Sequence, residues 1–245
     1  MPGIESDAIA NTAAVNRWRK AQSYERAWWN DQGPLRLDYL RNMAVIVEAD
    51  LAPFGDLGEE SRIVEIGCGP AGIVTFLPGS RRCGVEPLED YFGSVEEYVQ
   101  FRDPQVEYVA AQGEALPFDD ASFDLALSDN VLDHVEDPGR VLAEIHRVLA
   151  PGGRCWLRVH SYHTWGRFVR RTIERFEVDH GHPHTFTHKA LLRIAQDFGF
   201  AVLHDMQDNR VAAWRRDLTA GRRKELAQAL LFTNRANSTF VLKRM

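Results

Sequence analysis

The sequence predicts an α/β fold: a largely parallel sheet covered by helices on both faces. Three observations carry this. Between residues 61 and 160, short apolar runs alternate with helical patterns, and strands apolar on both sides belong to parallel sheets buried on both faces. The first run, 63–66, enters the glycine-rich turn Gly67-Cys68-Gly69-Pro70-Ala71-Gly72. Nineteen residues after Gly67, at the end of the next run, stands the acid Glu86. Glycines let a backbone approach a ligand closely, and an acid on the neighbouring strand can accept hydrogen bonds from ribose hydroxyls.

Each element has its own signal. Residues 1–60 read as mostly helical. The stretch 16–30 is polar but carries Trp18, Tyr24, Trp28 and Trp29, and Gly33-Pro34 punctuates it. A helix follows, with Leu37, Leu40, Ala44, Val47 and Leu51 at helical spacing. Strands are expected at 63–66, 82–85, 106–110, 123–127 and 154–159. The helix 138–149 buries Val141, Leu142, Ile145 and Val148 and is ended by Pro151-Gly152-Gly153. Residues 161–245 add two helices, a strand near 200–203, a polar helix near 219–231 and a last strand at 238–243. The organisation expected is one domain over 1–245: an N-terminal helical lid (1–60), a ligand-binding half (61–160) and a substrate-side half (161–245) with a helical insertion near 217–231.

Composition excludes several classes. The chain has 245 residues, 44% of them apolar, which is enough for one substantial core. Its net charge of −6, without a basic tract, argues against a nucleic-acid partner. No apolar run nears the roughly 20 residues that span a bilayer, and no signal-peptide pattern opens the chain. Three cysteines, Cys68, Cys83 and Cys155, each in or beside a buried strand, read as reduced thiols. A cytoplasmic protein with no membrane partner is the expectation, as a monomer or homodimer.

The glycine turn alone is ambiguous, because Gly67, Gly69 and Gly72 also satisfy the dinucleotide pattern GxGxxG. Three cues separate the readings. Pro78-Gly79 cuts the following helix short, where a dinucleotide fold continues into a long one. Glu65, inside the first strand, has no role with a dinucleotide but suits a ligand whose amino-acid end is cationic. Two further segments complete the pattern: Gln112-Gly113-Glu114-Ala115-Leu116-Pro117, and Ser128-Asp129-Asn130-Val131-Leu132-Asp133-His134.

With these four segments the chain resembles the class I S-adenosylmethionine-dependent methyltransferases, the broad group that includes the ubiquinone/menaquinone-biosynthesis type. The resemblance covers about residues 60–160. It implies a Rossmann-like seven-stranded sheet in the order 3-2-1-4-5-7-6 with the last strand antiparallel. It also implies S-adenosyl-L-methionine as cofactor and S-adenosyl-L-homocysteine as product. Carried over position by position, Gly67, Cys68, Gly69 and Gly72 would meet the methionine end, with Glu65 either touching it or orienting the turn. Glu86 would hold the ribose and Pro87 the adenine face. Gln112, Gly113 and Glu114 would line the adenine edge, Gln112 standing where the group often has Asp. Ser128, Asp129 and Asn130 would serve the cofactor ammonium.

Methyl transfer to a hydroxyl needs alignment and a proton acceptor. Open α/β sheets bind ligands beyond the carboxyl ends of their strands, so His134, His160 and His163 are the candidate bases. The histidine-rich stretch 180–188 reads as loop scaffold or pocket wall, with Thr187 capping the next helix. It lacks the second cluster a zinc site needs. A divalent metal such as magnesium on Asp129 and Asp133 is possible but not expected. Tyr24, Trp28, Trp29, Tyr162, Trp165 and Trp214 are the candidate acceptor walls. They suit a small polar hydroxylated molecule, with a sugar or glycoside ahead of a phenol or quinol. An amine or ring-carbon acceptor, and a non-catalytic cofactor-binding protein, are the alternatives.

Overall fold

The computed structural model describes residues 37–173 and 183–245, together with Ser23 and Arg26. Of the positions singled out above, Trp18, Tyr24, Trp28, Trp29, Gly33, Pro34, His180 and His182 lie outside the described residues.

Seven strands form one sheet: β1 (Arg62–Ile66), β2 (Arg81–Val85), β3 (Val106–Val109), β4 (Phe123–Asp129), β5 (Leu149–Ser161), β6 (Phe200–Gln207) and β7 (Ala236–Arg244). Their order is β3-β2-β1-β4-β5-β7-β6. The first five run parallel, and β7 is antiparallel to both β5 and β6. This is the topology the resemblance implies. The chain moves outward from β1 to β3 and then returns to lay β4 on the other side of β1. That reversal opens a crevice at the carboxyl ends of β1 and β4, where ligands bind in open α/β sheets.

Four consecutive residues of β1 are buried, which only a strand covered on both faces can achieve. On one face Val64, Ile66, Ala126, Leu157 and Val159 pack against α4 (Pro138–Val148) and α6 (His188–Asp197). On the other, Ile63, Leu125, Leu127 and Trp156 meet α1 (Leu37–Leu51), which buries Met43, Ala44, Val47 and Leu51. The Trp156 indole, fully enclosed, donates to Asp50 Oδ2 at 2.9 Å, so no polar group is stranded there.

Three elements differ from the sequence expectation. The turn after the glycines is a 3-10 helix, Ile73–Phe76. Pro151-Gly152-Gly153 ends no helix, because α4 stops at Val148 and β5 starts at Leu149. Leu149 pairs with Phe123 and Arg154 with Leu125, so residues 150–153 bulge out of the ladder and Pro151 withholds no hydrogen bond there. The polar helix expected near 219–231 is α8 (Arg223–Leu230), and a helix not expected there, α7 (Arg210–Thr219), precedes it, the two separated at Gly221 with φ of +71°. Asn209 caps α7 by accepting from the Val211 and Ala212 N–H groups. Trp214 Nε1 donates to the Ala229 carbonyl at 3.0 Å, locking the pair together. The remaining helices are the single turns α2 (Glu89–Phe92) and α3 (Glu96–Val99), and α5 (Thr164–Ile173). Thr187 caps α6 as the sequence suggested, and all three cysteines are free and buried.

Candidate functional site

The glycine turn is pinned from below. Gly67 and Cys68 both donate their N–H to the Val85 carbonyl, at 2.8 and 3.2 Å, tying the turn to the end of β2. Gly67, Gly69 and Gly72 hold φ values of +69°, +59° and +75°, where side chains are strained. Space forbids a side chain as well. A Cβ on Gly67 would lie 2.4 Å from Val131 Cγ2, and one on Gly72 would lie 2.6 Å from Glu65 Oε2.

Two carboxylates shape this turn. Glu65 is buried and accepts the Val74 N–H at 2.8 Å. Burial pushes its carboxyl up to about 8, against the pull of the Val74 and Ile73 N–H groups. Glu65 thus orients the turn whatever else it meets. Glu86 reaches back from the end of β2, accepting Gly69 N–H on Oε2 at 3.0 Å and Leu88 N–H on Oε1 at 3.1 Å. Behind them stand residues that sequence reasoning missed. Arg102 donates to the Pro70 carbonyl at 2.6 Å and is held by both oxygens of Glu89. Tyr108 donates to the Ala71 carbonyl at 2.7 Å. A buried arginine demands a carboxylate, which was the available signal, but nothing in the sequence tied Arg102 to the glycines.

Across the crevice, Ser128 pairs with Ile66 and Leu157 and is wholly buried, its Oγ without a hydrogen-bond partner. Asn130 adopts a left-handed φ of +55° and also buries an unpartnered Oδ1. Asp129 pairs with Arg158, Nε to Oδ1 at 2.6 Å and Nη2 to Oδ2 at 2.7 Å. Burial raises the Asp129 carboxyl above its ordinary value, and the Arg158 guanidinium opposes that shift. Those bonds engage both Asp129 oxygens. Among the described residues no group of three or more His, Cys, Asp or Glu side chains is arranged to hold a metal.

Gly113 packs so tightly that a Cβ would sit 3.0 Å from Ile66 Cγ2. Glu114 turns its carboxylate to the Glu136 and Asp137 N–H groups, at 2.8 and 3.2 Å, clamping the segment after β4 to the segment after β3. Gln112 is exposed, and Pro87 is half-buried beside Glu86.

The three candidate histidines have different neighbours. His134 sits after β4 with Nε2 3.9 Å from Asp133 Oδ1. His163 is exposed, and its Nδ1 accepts the Trp165 N–H at 3.4 Å, within the first turn of α5. His160, near the end of β5, lines a cavity of about 300 Å³ with the acids Asp208, Asp217 and Glu225 and the bases Arg216 and Arg235. His184 bonds the Val135 and Glu136 carbonyls and His188 bonds Ser238 Oγ, so both serve as scaffold. The described aromatics scatter too. Tyr162 is buried beneath Arg170, Trp165 is 55% exposed, and Trp214 locks α7 to α8.

Comparison with known proteins agrees with this geometry. The methyltransferase-domain family matches residues 64–157. An uncharacterized methyltransferase of Mycolicibacterium gilvum is 30% identical over 196 residues, covering 72% of this chain and 74% of the relative. One from Mycobacteroides abscessus is 36% identical over 106 residues, covering 42% of this chain and 40% of the relative. For the first relatives the chain spans only 40%, 43% and 56% of their lengths. Among solved structures, a geranyl diphosphate C-methyltransferase of Streptomyces coelicolor has a TM-score of 0.58. It is 16% identical, with 81% of this chain and 79% of that one covered, and it was solved with Mg2+, geranyl diphosphate and S-adenosyl-L-homocysteine. The chain belongs to the class I S-adenosylmethionine-dependent methyltransferases.

Proposed function

We propose that this protein transfers the methyl group of S-adenosylmethionine to a hydroxyl oxygen of a small polar molecule, with His160 taking the proton. The donor set fits the cofactor. Gly67, Gly69 and Gly72 hold the turn in left-handed backbone conformations that only glycine adopts without strain, and Ser128 Oγ and Asn130 Oδ1 are buried polar atoms without a hydrogen-bond partner among the described residues. Glu86 lies at the rim of the cradle, in reach of ribose hydroxyls, while Glu65 and Asn130 face the cationic end. When bound, the cofactor supplies an already activated methyl group.

The remaining work falls to the chain's own residues. The acceptor must be aligned in a water-poor cavity and its hydroxyl proton removed. The single observation carrying the hydroxyl reading is the cavity at the end of β5, whose wall is almost wholly polar and includes His160. With the cofactor bound, the acceptor oxygen would take the methyl carbon as its bond to sulfur breaks, S-adenosylhomocysteine would leave, and the His160 imidazole would receive the hydroxyl proton. A polyhydroxylated ring suits this wall better than a phenol, because Trp214 is engaged in holding α7 to α8.

The test is a methyl-transfer screen over sugars, polyols, phenols and amines. Turnover on sugars or polyols that falls at least about a hundredfold in His160→Ala supports the proposal. Turnover confined to amines or ring carbons, or a loss confined to His134→Ala, overturns it.

A further inference from the structure

We propose that Arg102 and Tyr108 are positioning residues that aim the backbone N–H groups of Ala71 and Gly72 at the carboxylate of the cofactor's amino-acid end. The inference rests on the cofactor and not on which acceptor is methylated. Most donors of the glycine turn are engaged within the protein. Gly67 and Cys68 give their N–H groups to the Val85 carbonyl, Gly69 gives its own to Glu86, and Val74 to Glu65. Pro70 has none to give. Ala71 and Gly72 are the exceptions: both are buried, Ala71 completely, and neither N–H has an acceptor among the described residues. Buried backbone donors almost always find a partner, so two adjacent ones left over point to a ligand that supplies it. Successive N–H groups beside a left-handed residue, here Gly72 with φ of +75°, make a nest for an anion.

The same two peptides are held from behind by their carbonyls. In a trans peptide the C=O and N–H point in opposite directions, and both peptides are trans. Arg102 Nε grips the Pro70 carbonyl at 2.6 Å, which sends the Ala71 N–H the other way. Tyr108 donates to the Ala71 carbonyl at 2.7 Å, joined there by Thr75 Oγ1, and so turns the Gly72 N–H likewise. The two anchors form one unit, the Arg102 guanidinium lying 3.9 Å over the Tyr108 ring. Glu89 accepts from both Nη atoms, at 2.7 and 2.8 Å, which leaves Nε for the carbonyl. With side chains 9% and 13% exposed, Arg102 and Glu89 are a buried two-pronged pair, the kind that fixes geometry. Tyr108 stands on β3, and the order β3-β2-β1-β4 puts β4 on the opposite side of the turn. The two donors therefore turn toward the crevice, where Ser128 and Asn130 serve the ammonium of the same ligand end. A carboxylate, with two oxygens and a full charge, satisfies both donors.

Calorimetric titration compares S-adenosylhomocysteine with its decarboxylated analogue, which keeps the adenosine, the sulfur and the amine and lacks only the carboxylate. The wild type should bind S-adenosylhomocysteine at least about tenfold tighter. Tyr108→Phe keeps the ring under Arg102 and removes the hydroxyl. Arg102→Lys keeps a charge for Glu89 but loses the fork that serves Glu89 and Pro70 together. Each variant should cut the preference by about threefold to tenfold and leave the affinity for the analogue within about twofold. A purely structural role would weaken both ligands alike. Tyr108→Phe keeps the test decisive where Arg102→Lys fails to fold. Equal wild-type binding of the two ligands, no binding of S-adenosylhomocysteine, an undiminished preference in the variants, or equal losses for both ligands overturns the assignment. No acceptor enters the titration, so its failure leaves the role of His160 untouched.

Discussion

Arg158 on β5 grips Asp129 on β4 with a two-pronged bond, 2.6 and 2.7 Å, and the same guanidinium extends to α1. There it meets the Tyr39 hydroxyl and, at 3.1 Å, Met43 Sδ. One charge pair therefore fixes the N-terminal helix over the carboxyl end of β4, beside Ser128 and Asn130. Arg158→Met would leave a buried carboxylate unpaired and should cost about 3 kcal/mol in denaturant unfolding. Adding Asp129→Asn removes the stranded charge and should recover a clear part of that loss. If the double variant is no more stable than the single, the pair is not the source of the effect.

This pair shows where the sequence stopped being legible. The strands were readable because each depends on local apolar patterning contained within ten residues, and their order came from the resemblance that the four motif segments carry. The partner of Asp129 was not, since Tyr39, Asp129 and Arg158 are brought together only when β4, β5 and α1 assemble. Arg158 was still a signal: a charged residue in an apolar strand must find a partner. Asp217 escaped for a different reason. The polar pattern of 217–231 reads equally as a solvated helix, and only the break at Gly221 folds α7 onto α8 and turns Asp217 inward.

Glu65 should make stability depend on pH in a defined sense. Its folded-state pKa is raised from 4.5 to about 8 by burial, so the unfolded chain releases this proton first as pH rises. The unfolded state then binds fewer protons than the folded one, and stability falls with pH. The contribution is complete below about 4.5 and is lost between about 4.5 and about 8. Glu65→Gln retains an oxygen for the Val74 N–H but has no proton to lose. The melting temperature of the wild type should decline relative to the variant across that window, and parallel curves would refute the assignment.

Glu86 should matter to cofactor affinity beyond its reach for the ribose. Its two oxygens hold the Gly69 and Leu88 N–H groups, so the side chain also sets the shape of the cradle. Glu86→Ala should weaken S-adenosylhomocysteine binding by at least about tenfold, a charged hydrogen bond contributing about 1.5–3 kcal/mol. Glu86→Gln keeps an acceptor on the same stem and should lose less. Calorimetric titration of both variants separates them, and equal losses would assign the whole effect to charge.

Gly67 lies directly against the Val131 side chain. A Cβ at position 67 meets Val131 Cγ2 at 2.4 Å, a distance no real contact allows, and φ of +69° adds backbone strain. Gly67→Ala should therefore push the segment after β4 away from the turn, lowering both stability and S-adenosylhomocysteine affinity. Val131→Ala in the same chain removes both γ carbons and with them the collision, but it leaves the strain in φ. The double variant should recover affinity more than it recovers stability, because the strain remains while the cradle regains its width. A thermal-shift series with and without S-adenosylhomocysteine reads both quantities. Affinity that stays at the level of Gly67→Ala in the double variant would show that backbone strain, rather than the closeness of Val131, makes glycine necessary at this position.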